Sequence, residues 1–360
     1  MKSIKIFTAQ AIPGMVTADD VYTKDHHLVI AKDTVLTDKI ITRLEFYSIS
    51  DLLVLSDSAF MEAEKEFIET TFYEELRKSD AFHRFHLAYQ NTINKFKNSL
   101  DDIVSSQAEV NTDLLLSEVS KLLYQSTSSI ELFNMLHCIR HYDDTTYIHS
   151  LNVSLICNII GKWLHFNPED LEVITLCGLL HDIGKLMIPT SIITKPAKLT
   201  EEEFSTIKTH TLRGYNILKS KDIDMRIKVS ALMHHERCDG SGYPYGFRST
   251  QIDDFAKLVA IADVYDAMTC ARVYRGPLCP FEVVNIFETE GLTKYDPKYI
   301  MTFLEGIVQT YINNNVRLSN KQVGEIIFIN KFELSRPVVR VENQYIDLSK
   351  NRDLYIEALM

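Results

Sequence analysis

Between Ser58 and Ser129 the chain contains neither glycine nor proline. Apolar residues recur through that run at helical spacing: Phe67, Phe72 and Leu76, then Phe82, Phe85, Tyr89, Ile93 and Phe96. With no helix-ending residue and one apolar face repeating, the run predicts long helices over residues 59–129. Such helices need a partner for that face. Two partners are open: a second copy of the chain, giving a homodimer through this helical connector, or the rest of the same chain. No sustained heptad decides between them.

The connector splits the chain into three expected parts, 1–58, 59–129 and 130–360. Residues 1–58 mix short runs such as Gly14-Met15-Val16 and Leu28-Val29-Ile30 with turn residues and an amphipathic stretch from Asp38 to Tyr47, which reads as a small α+β module. From about Ser129 to Asn315 the pattern is helical, broken by polar turns at Asn167-Pro168, Thr194-Lys195-Pro196 and Asp239-Gly240-Ser241-Gly242. Thr200 and Glu203 stand at capping-box spacing, which sets a helix start just before His210. Glu325 to Ile329 and Arg336 to Val341 read as a terminal hairpin within about 323–350. The expected fold class is therefore mainly α: a helical bundle domain with a small N-terminal α+β module, a helical connector and a short C-terminal β-hairpin.

Composition narrows the functions. With 46% hydrophobic residues among 360 the chain can build real cores. Its net charge of -11 speaks against a general surface for polymeric nucleic acid or anionic lipid, since both need a basic face. Any phosphate recognition must be local. No apolar run approaches the ~18 residues of a membrane span, and the first residues carry no signal-peptide core, so no membrane insertion is expected. The cysteines, at 138, 157, 177, 238, 270 and 279, form no Cys-x-x-Cys pair. That pattern fits a reducing cytoplasm better than a disulfide framework.

Seven candidate metal ligands fall in one 115-residue stretch: His149, His181, Asp182, His210, His234, His235 and Asp263. A lone histidine in a helix usually belongs to ordinary packing, and His26, His27, His83, His86, His137, His141 and His165 are read so. The chosen ones differ in their company. His181-Asp182 ends the apolar run Leu176 to Leu180 and leads into Ile183-Gly184-Lys185. Burying that carboxylate is costly unless a cation offsets it. His234 and His235 diverge by about 100° on a helix, which suits a metal at a helix end better than an apolar core. Imidazole and carboxylate without thiolate favour iron, manganese or zinc over calcium.

Two further segments point to phosphate. The histidine pair runs into Asp239-Gly240-Ser241-Gly242-Tyr243-Pro244, whose glycines permit tight backbone and close ligand approach. Alone, Gly242-Tyr243-Pro244 signals only a turn. Asp263 and Asp266 lie one helical turn apart, and Arg272 and Arg275 follow as cations able to clamp phosphate oxygens.

Taken in order, His181-Asp182-Ile183-Gly184-Lys185, His210, His234-His235-Glu236, Asp239-Gly240-x-Gly242-Tyr243-Pro244 and Asp263-x-x-Asp266-Ala267 with Arg272 and Arg275 closely resemble the HD-GYP family of bacterial cyclic di-GMP phosphodiesterases, over residues 130 to 310. Residues 1–58, notably Pro13-Gly14-Met15 and Asp33 to Thr37, resemble a small module that commonly precedes such domains. The resemblance implies an HD-type helical bundle and two divalent ions, iron or manganese ahead of zinc. One ion would be held by His149, His181, Asp182 and Asp263, the other by His210, His234 and His235, with Asp182 bridging. Lys185, Arg272 and Arg275 would contact substrate phosphates, Asp266 would orient that basic cluster, and the Gly242-Tyr243-Pro244 loop would shape the mouth.

Members with a third metal place a glutamate one turn before the first histidine; here Tyr142 to Ile148 contains none, and Asp144 is shorter and offset by five. A binuclear centre is therefore expected, with hydrolysis of cyclic di-GMP to linear pGpG favoured over GMP. Two cations acidify a shared water and bind the phosphoryl oxygens of an in-line displacement, the chemistry a phosphodiester requires; Asp182 and Lys185 would be the catalytic residues. Two rivals stay open: an HD phosphohydrolase of another cyclic dinucleotide or nucleotide, and a non-catalytic interaction protein that responds to one.

Overall fold

The computed structural model describes residues 3–8, 11, 13–23, 28–37, 40–41, 43–44, 47, 49, 51–55, 71–106, 108–126, 128–139, 146–193, 200–269 and 278–360. In the N-terminal module β1 (Ser3–Phe7) pairs antiparallel with β4 (Asp51–Leu55), and β2 (Val21–Tyr22) with β3 (Leu28–Ile30). β4 alternates buried and half-buried positions, as a strand with one covered face must. Ile6, Ile30, Leu36, Leu44, Leu52 and Val54 close a small core separate from the main one. Thr17 is fully buried because its hydroxyl donates to Ala31 O at 2.8 Å and accepts from Thr34 N at 2.9 Å.

The Gly/Pro-free run gives α1 (Thr71–Lys78), α2 (Asp80–Ser105) and α3 (Thr112–Leu123) in its described part; Phe67 lies outside the described residues. Ser79 caps α2, accepting from Phe82 N at 3.1 Å, and α2 buries Phe82, Phe85, Tyr89, Thr92, Phe96, Leu100 and Ile103. That three-four spacing is one helix face. It packs on α3 and on the helices that follow, in a single hydrophobic core with them. Within one chain, then, the connector's stripe is already covered, each large side chain contributing about 1.5–3 kcal/mol by burial.

The rest of that core is α4 (Ser129–Ile139), α5 (Thr146–Trp163), α6 (Pro168–Leu180), α7 (Thr190–Ile193), α8 (Glu201–Lys208), α9 (His210–Leu218), α10 (Met225–Met233), α11 (Asp254–Thr269), α12 (Pro280–Ile286) and α13 (Pro297–Gln309). α5 and α6 form its centre; from Ser150 to Gly161 α5 is buried on every side. Asn167 caps α6 ahead of Pro168, and Thr200 and Glu203 form the expected capping box. The turn at Thr194-Lys195-Pro196 lies outside the described residues.

At the C-terminus the expected pairing of 325–329 with 336–341 is present, as β6 (Val323–Phe328) against β7 (Val338–Val341). It belongs to a larger element. β5 (Asn315–Leu318), β8 (Gln344–Asp347) and β9 (Ile356–Leu359) complete a five-stranded sheet of order β8-β7-β6-β5-β9. Val316, Leu318, Ile326, Val339 and Ile356 tie it into the helical core.

Candidate metal centre

Helix ends that meet in the core make the site. Ile174, Leu176, Cys177, Leu179 and Leu180 are all buried, so α6 is drawn inward up to its last turn and delivers its C-terminus there. His181 caps it, fully buried, and Asp182 follows at 1% exposure. The chain turns through a 3-10 segment, Ile183–Met187. A Cβ on Gly184 would stand 1.9 Å from His210 O and 2.5 Å from Gly214 N, so only glycine lets the first turn of α9 approach Asp182 this closely. α10 ends at Met233, and the chain leaves the helix at His234 and His235. Their rings lie 4.2 Å apart. His149, in the first turn of α5, meets Asp263 and Asp266 across from α11.

Asp182 is central, and its two oxygens face different partners. Oδ2 lies 3.4 Å from His181 Nε2, 3.7 Å from His149 Nε2 and 2.6 Å from Lys185 Nζ. Oδ1 lies 3.3 Å from His210 Nε2 and 3.6 Å from His234 Nε2. Asp263 spans the same divide, with Oδ1 3.0 Å from His149 Nε2 and Oδ2 3.7 Å from His235 Nδ1. Two ligand groups result, His149 with His181 and Asp182, and Asp182 with His210, His234 and His235; within each the donor atoms lie within 4.8 Å of one another.

The far ring nitrogens are fixed by backbone carbonyls. His181 Nδ1 donates to Gly178 O at 2.8 Å, His210 Nδ1 to Ile207 O at 2.7 Å and His234 Nδ1 to Ser230 O at 3.1 Å. A proton held there turns each Nε2 lone pair inward, as in metal-binding imidazoles. His149 is tied instead through Nδ1 to Asp266 Oδ2 at 2.8 Å. Asp266, expected beside the basic cluster, thus sits on a candidate ligand; Arg272 and Arg275 lie outside the described residues, as does Asp144.

Burial sets the electrostatics. It pushes His210 down to about 3 against the pull of Asp182, and also lowers His234 and His235, so all three are neutral lone-pair donors near neutral pH. Burial would raise Asp182, but Lys185 and His181 outweigh it and hold the carboxyl well below the usual range. Asp263 is held low against burial by His149 and His235. For His149 burial again acts downward, yet its hydrogen bonds to Asp263 and Asp266 raise it to about 10. His181 Nε2 and Asp182 Oδ1 are buried without a hydrogen bond, whereas Asp182 Oδ2 is met by the Lys185 ammonium at 2.6 Å. Polar atoms left so cost about 1–3 kcal/mol each, a cost that a divalent cation removes. The donor set fits such an ion.

The loop after the histidine pair is held by its own expected residues and by two, Glu236 and Arg237, to which the sequence reading gave no role. Asp239 Oδ1 accepts from Ser241 N at 2.8 Å, Gly240 takes a φ of 83°, and a Cβ on Gly242 would meet His235 O at 2.4 Å. Tyr243, next to Pro244, stacks on His235 with ring centroids 4.6 Å apart. Beneath them Glu236, buried, accepts from Tyr245 N at 2.8 Å and Phe247 N at 2.9 Å. Arg237, also buried, donates to His234 O at 3.1 Å and Glu236 O at 2.9 Å. The available signal was two charged residues wedged between paired histidines and a glycine turn.

Helix ends converging on buried imidazoles and carboxylates define a helical domain built to bind divalent metal. The model of the HD domain family matches residues 109–299, and the chain belongs to that family. The HD-GYP resemblance drawn from the motifs is borne out by relatives. The chain is 32% identical over 201 residues to the cyclic di-GMP phosphodiesterase PA4108 of Pseudomonas aeruginosa, covering 55% of this chain and 48% of that protein. It is 41% identical over 145 residues to the 3'3'-cGAMP-specific phosphodiesterase 1 of Vibrio cholerae, covering 40% and 34%. With the cyclic di-GMP phosphodiesterase of Thermotoga maritima it shares 35% over 179 residues, 49% and 48%. The chain thus spans about half or less of the length of these curated relatives. Among solved structures, Bd1817, an HDG"Y"P protein from Bdellovibrio bacteriovorus, matches with a TM-score of 0.50 over 84% of this chain and 98% of that one; at 17% identity this shows a shared fold. Among the described residues no helix is long and apolar enough to cross a membrane.

Proposed function

We propose that the cluster holds two divalent cations, iron or manganese with zinc as the alternative, and that the protein hydrolyses one phosphodiester of cyclic di-GMP to give pGpG. The observation that carries this reading is Asp182: one buried carboxylate whose two oxygens serve two separate sets of imidazoles. His149, His181, Asp182 and Asp263 would hold one ion, and Asp182, His210, His234 and His235 the other. When bound, two such ions supply Lewis-acid charge to the phosphoryl oxygens and acidify the attacking water.

The chain's own residues supply the rest. Asp266 and the carbonyls of Gly178, Ile207 and Ser230 fix imidazole tautomers and orientation. Lys185, a quarter exposed beside fully buried neighbours, carries positive charge to the phosphate, with Arg272 and Arg275 assigned the same role. The 239–244 loop forms the mouth. These local cations let a chain of net charge -11 bind a dianionic dinucleotide.

A second reading, 3'3'-cGAMP as substrate, is favoured by the 41% identity to a phosphodiesterase specific for it. Incubating anaerobically purified, metal-loaded protein with cyclic di-GMP, 3'3'-cGAMP and simple nucleotides, and separating the products, tests both. Faster turnover of cyclic di-GMP to pGpG supports the first reading, faster turnover of cGAMP the second, and no cleavage of either refutes both. We place the enzyme in the cytoplasm, with residues 1–58 as a separate module, 59–129 as connector and 130–360 as the catalytic part. Any homodimer through the connector would use the outer face of its helices; a monomeric mass in solution would exclude it.

A further inference from the structure

Among the described residues the N-terminal module meets the main domain through an exposed Lys5–Glu201 pair, 3.6 Å apart, and through the segment 287–295, which also supports the loop bearing two candidate ligands. Phe287–Gly291 is a π-helical turn that continues into Lys294 and Tyr295. On its outer side Arg43 of the module forms an ion pair with Glu290, Nε to Oε1 at 2.6 Å, and Glu290 retains only 10% side-chain exposure. Lys294 Nζ lies 4.5 Å from the centre of the Tyr47 ring, and Lys294 is itself buried. On the inner side Cys238 N donates to Lys294 O at 2.8 Å, and the Arg237 guanidinium lies over the Tyr295 ring at 5.1 Å. Arg237 in turn donates to the carbonyl of His234.

Every link in this series is a direct contact, and its inner members, Lys294, Tyr295, Arg237 and His234, are buried. A shift of the segment therefore moves Lys294 O and the Tyr295 ring, and with them the backbone of residues 234–238. Metal ligands tolerate little displacement, because ligand distances must stay within about 0.2 Å of their ideal values.

We infer that docking of the N-terminal module through Arg43 and Tyr47 positions His234 and His235, so that the module tunes affinity for the ion those residues hold. This rests on the reading of His234 and His235 as ligands. The module is then a control surface: whatever grips or releases it is felt at the second metal.

The test uses the full chain with metal removed, in native form and as Arg43→Glu, Glu290→Arg and the double exchange. Mn2+ affinity is measured by titration calorimetry, and amide exchange by mass spectrometry over peptides covering 234–243. The expected result is that each single exchange weakens the second Mn2+ about threefold to tenfold and speeds exchange at Cys238, while the double exchange restores both to within twofold of native. Should Arg43→Glu not fold, Arg43→Ala, which removes the ion pair without adding repulsion, takes its place. Native affinity and exchange in the single variants, or a double variant as impaired as the worse single one, would overturn the inference alone. Native protein that binds no Mn2+ would overturn the ligand reading, and this inference with it.

Discussion

Gly184→Ala is the substitution whose effect the geometry sets most tightly. Its Cβ would sit 1.9 Å from His210 O, 2.5 Å from Gly214 N and 2.9 Å from His210 C. All three are backbone atoms, so no side chain can swing aside. Ordinary contact begins at 3.4 Å, so the first turn of α9 and the Ile183–Met187 turn must separate by about 1.5 Å. His210 travels with α9, and Nε2 leaves its place 3.3 Å from Asp182 Oδ1. Overpacking of this kind costs about 1–3 kcal/mol in stability, roughly 2–12 °C in the unfolding midpoint of a domain this size. Loss of one positioned ligand should weaken the second metal about 100-fold or more, given that disturbing an outer-shell partner alone costs 10–100-fold. The first group, His149 with His181 and Asp182, should still bind. Metal analysis by mass spectrometry, with thermal unfolding alongside, should therefore show a folded variant with about one ion against the two expected of the native chain. A Gly184→Ala protein with both ions and native turnover would refute the close approach on which the site is built.

Three more outcomes follow from the same contacts. Glu236→Ala strips a buried carboxylate acceptor from two backbone N–H groups, of Tyr245 and Phe247; stability should fall by about 2–4 kcal/mol in denaturant titration, and a change under 0.5 kcal/mol would show that the loop is held otherwise. Phe85→Ala, at a fully buried position of α2, should cost about 3–5 kcal/mol and lower a single cooperative transition, whereas loss of α2 in a separate early transition would deny it a place in the common core. Metal uptake should release protons: His149 is held protonated up to about 10 by Asp263 and Asp266, while His210, His234 and His235 are already neutral. A ligand must shed its proton, so near pH 7–8 about one proton should leave His149, affinity should rise with pH, and calorimetric enthalpies should differ between buffers of different ionisation heat. Buffer-independent enthalpies would contradict that assignment.

The helical domain and its candidate ligands were legible because their signals are local. Apolar periodicity placed α2, the motif spacing gathered His149 through Asp263, and Thr200 with Glu203 marked a helix start that the structure shows as a reciprocal cap. What was hidden depends on distant partners. The four-residue strand Ile356–Leu359 acquires meaning only by pairing with Asn315–Leu318 across about 40 residues of chain. Whether α2 faced its own chain or another could not be read from a stripe that either partner would cover. Glu236 and Arg237 carried no assigned role, because the groups that satisfy them are backbone atoms and a ring brought together by the fold. Asp266 was seen, but its partner was not: one turn after Asp263 it faces His149 from another helix.

The most direct measurement of the central claim is metal content and product formation on the same anaerobically purified sample, native beside Asp182→Asn. The native chain should carry two divalent ions and convert cyclic di-GMP to pGpG, and the variant, having lost the carboxylate common to both groups, should lose both ions' tight binding and the activity together. Native protein with at most one ion and full turnover, or an Asp182→Asn variant that keeps its metal and its rate, would contradict it.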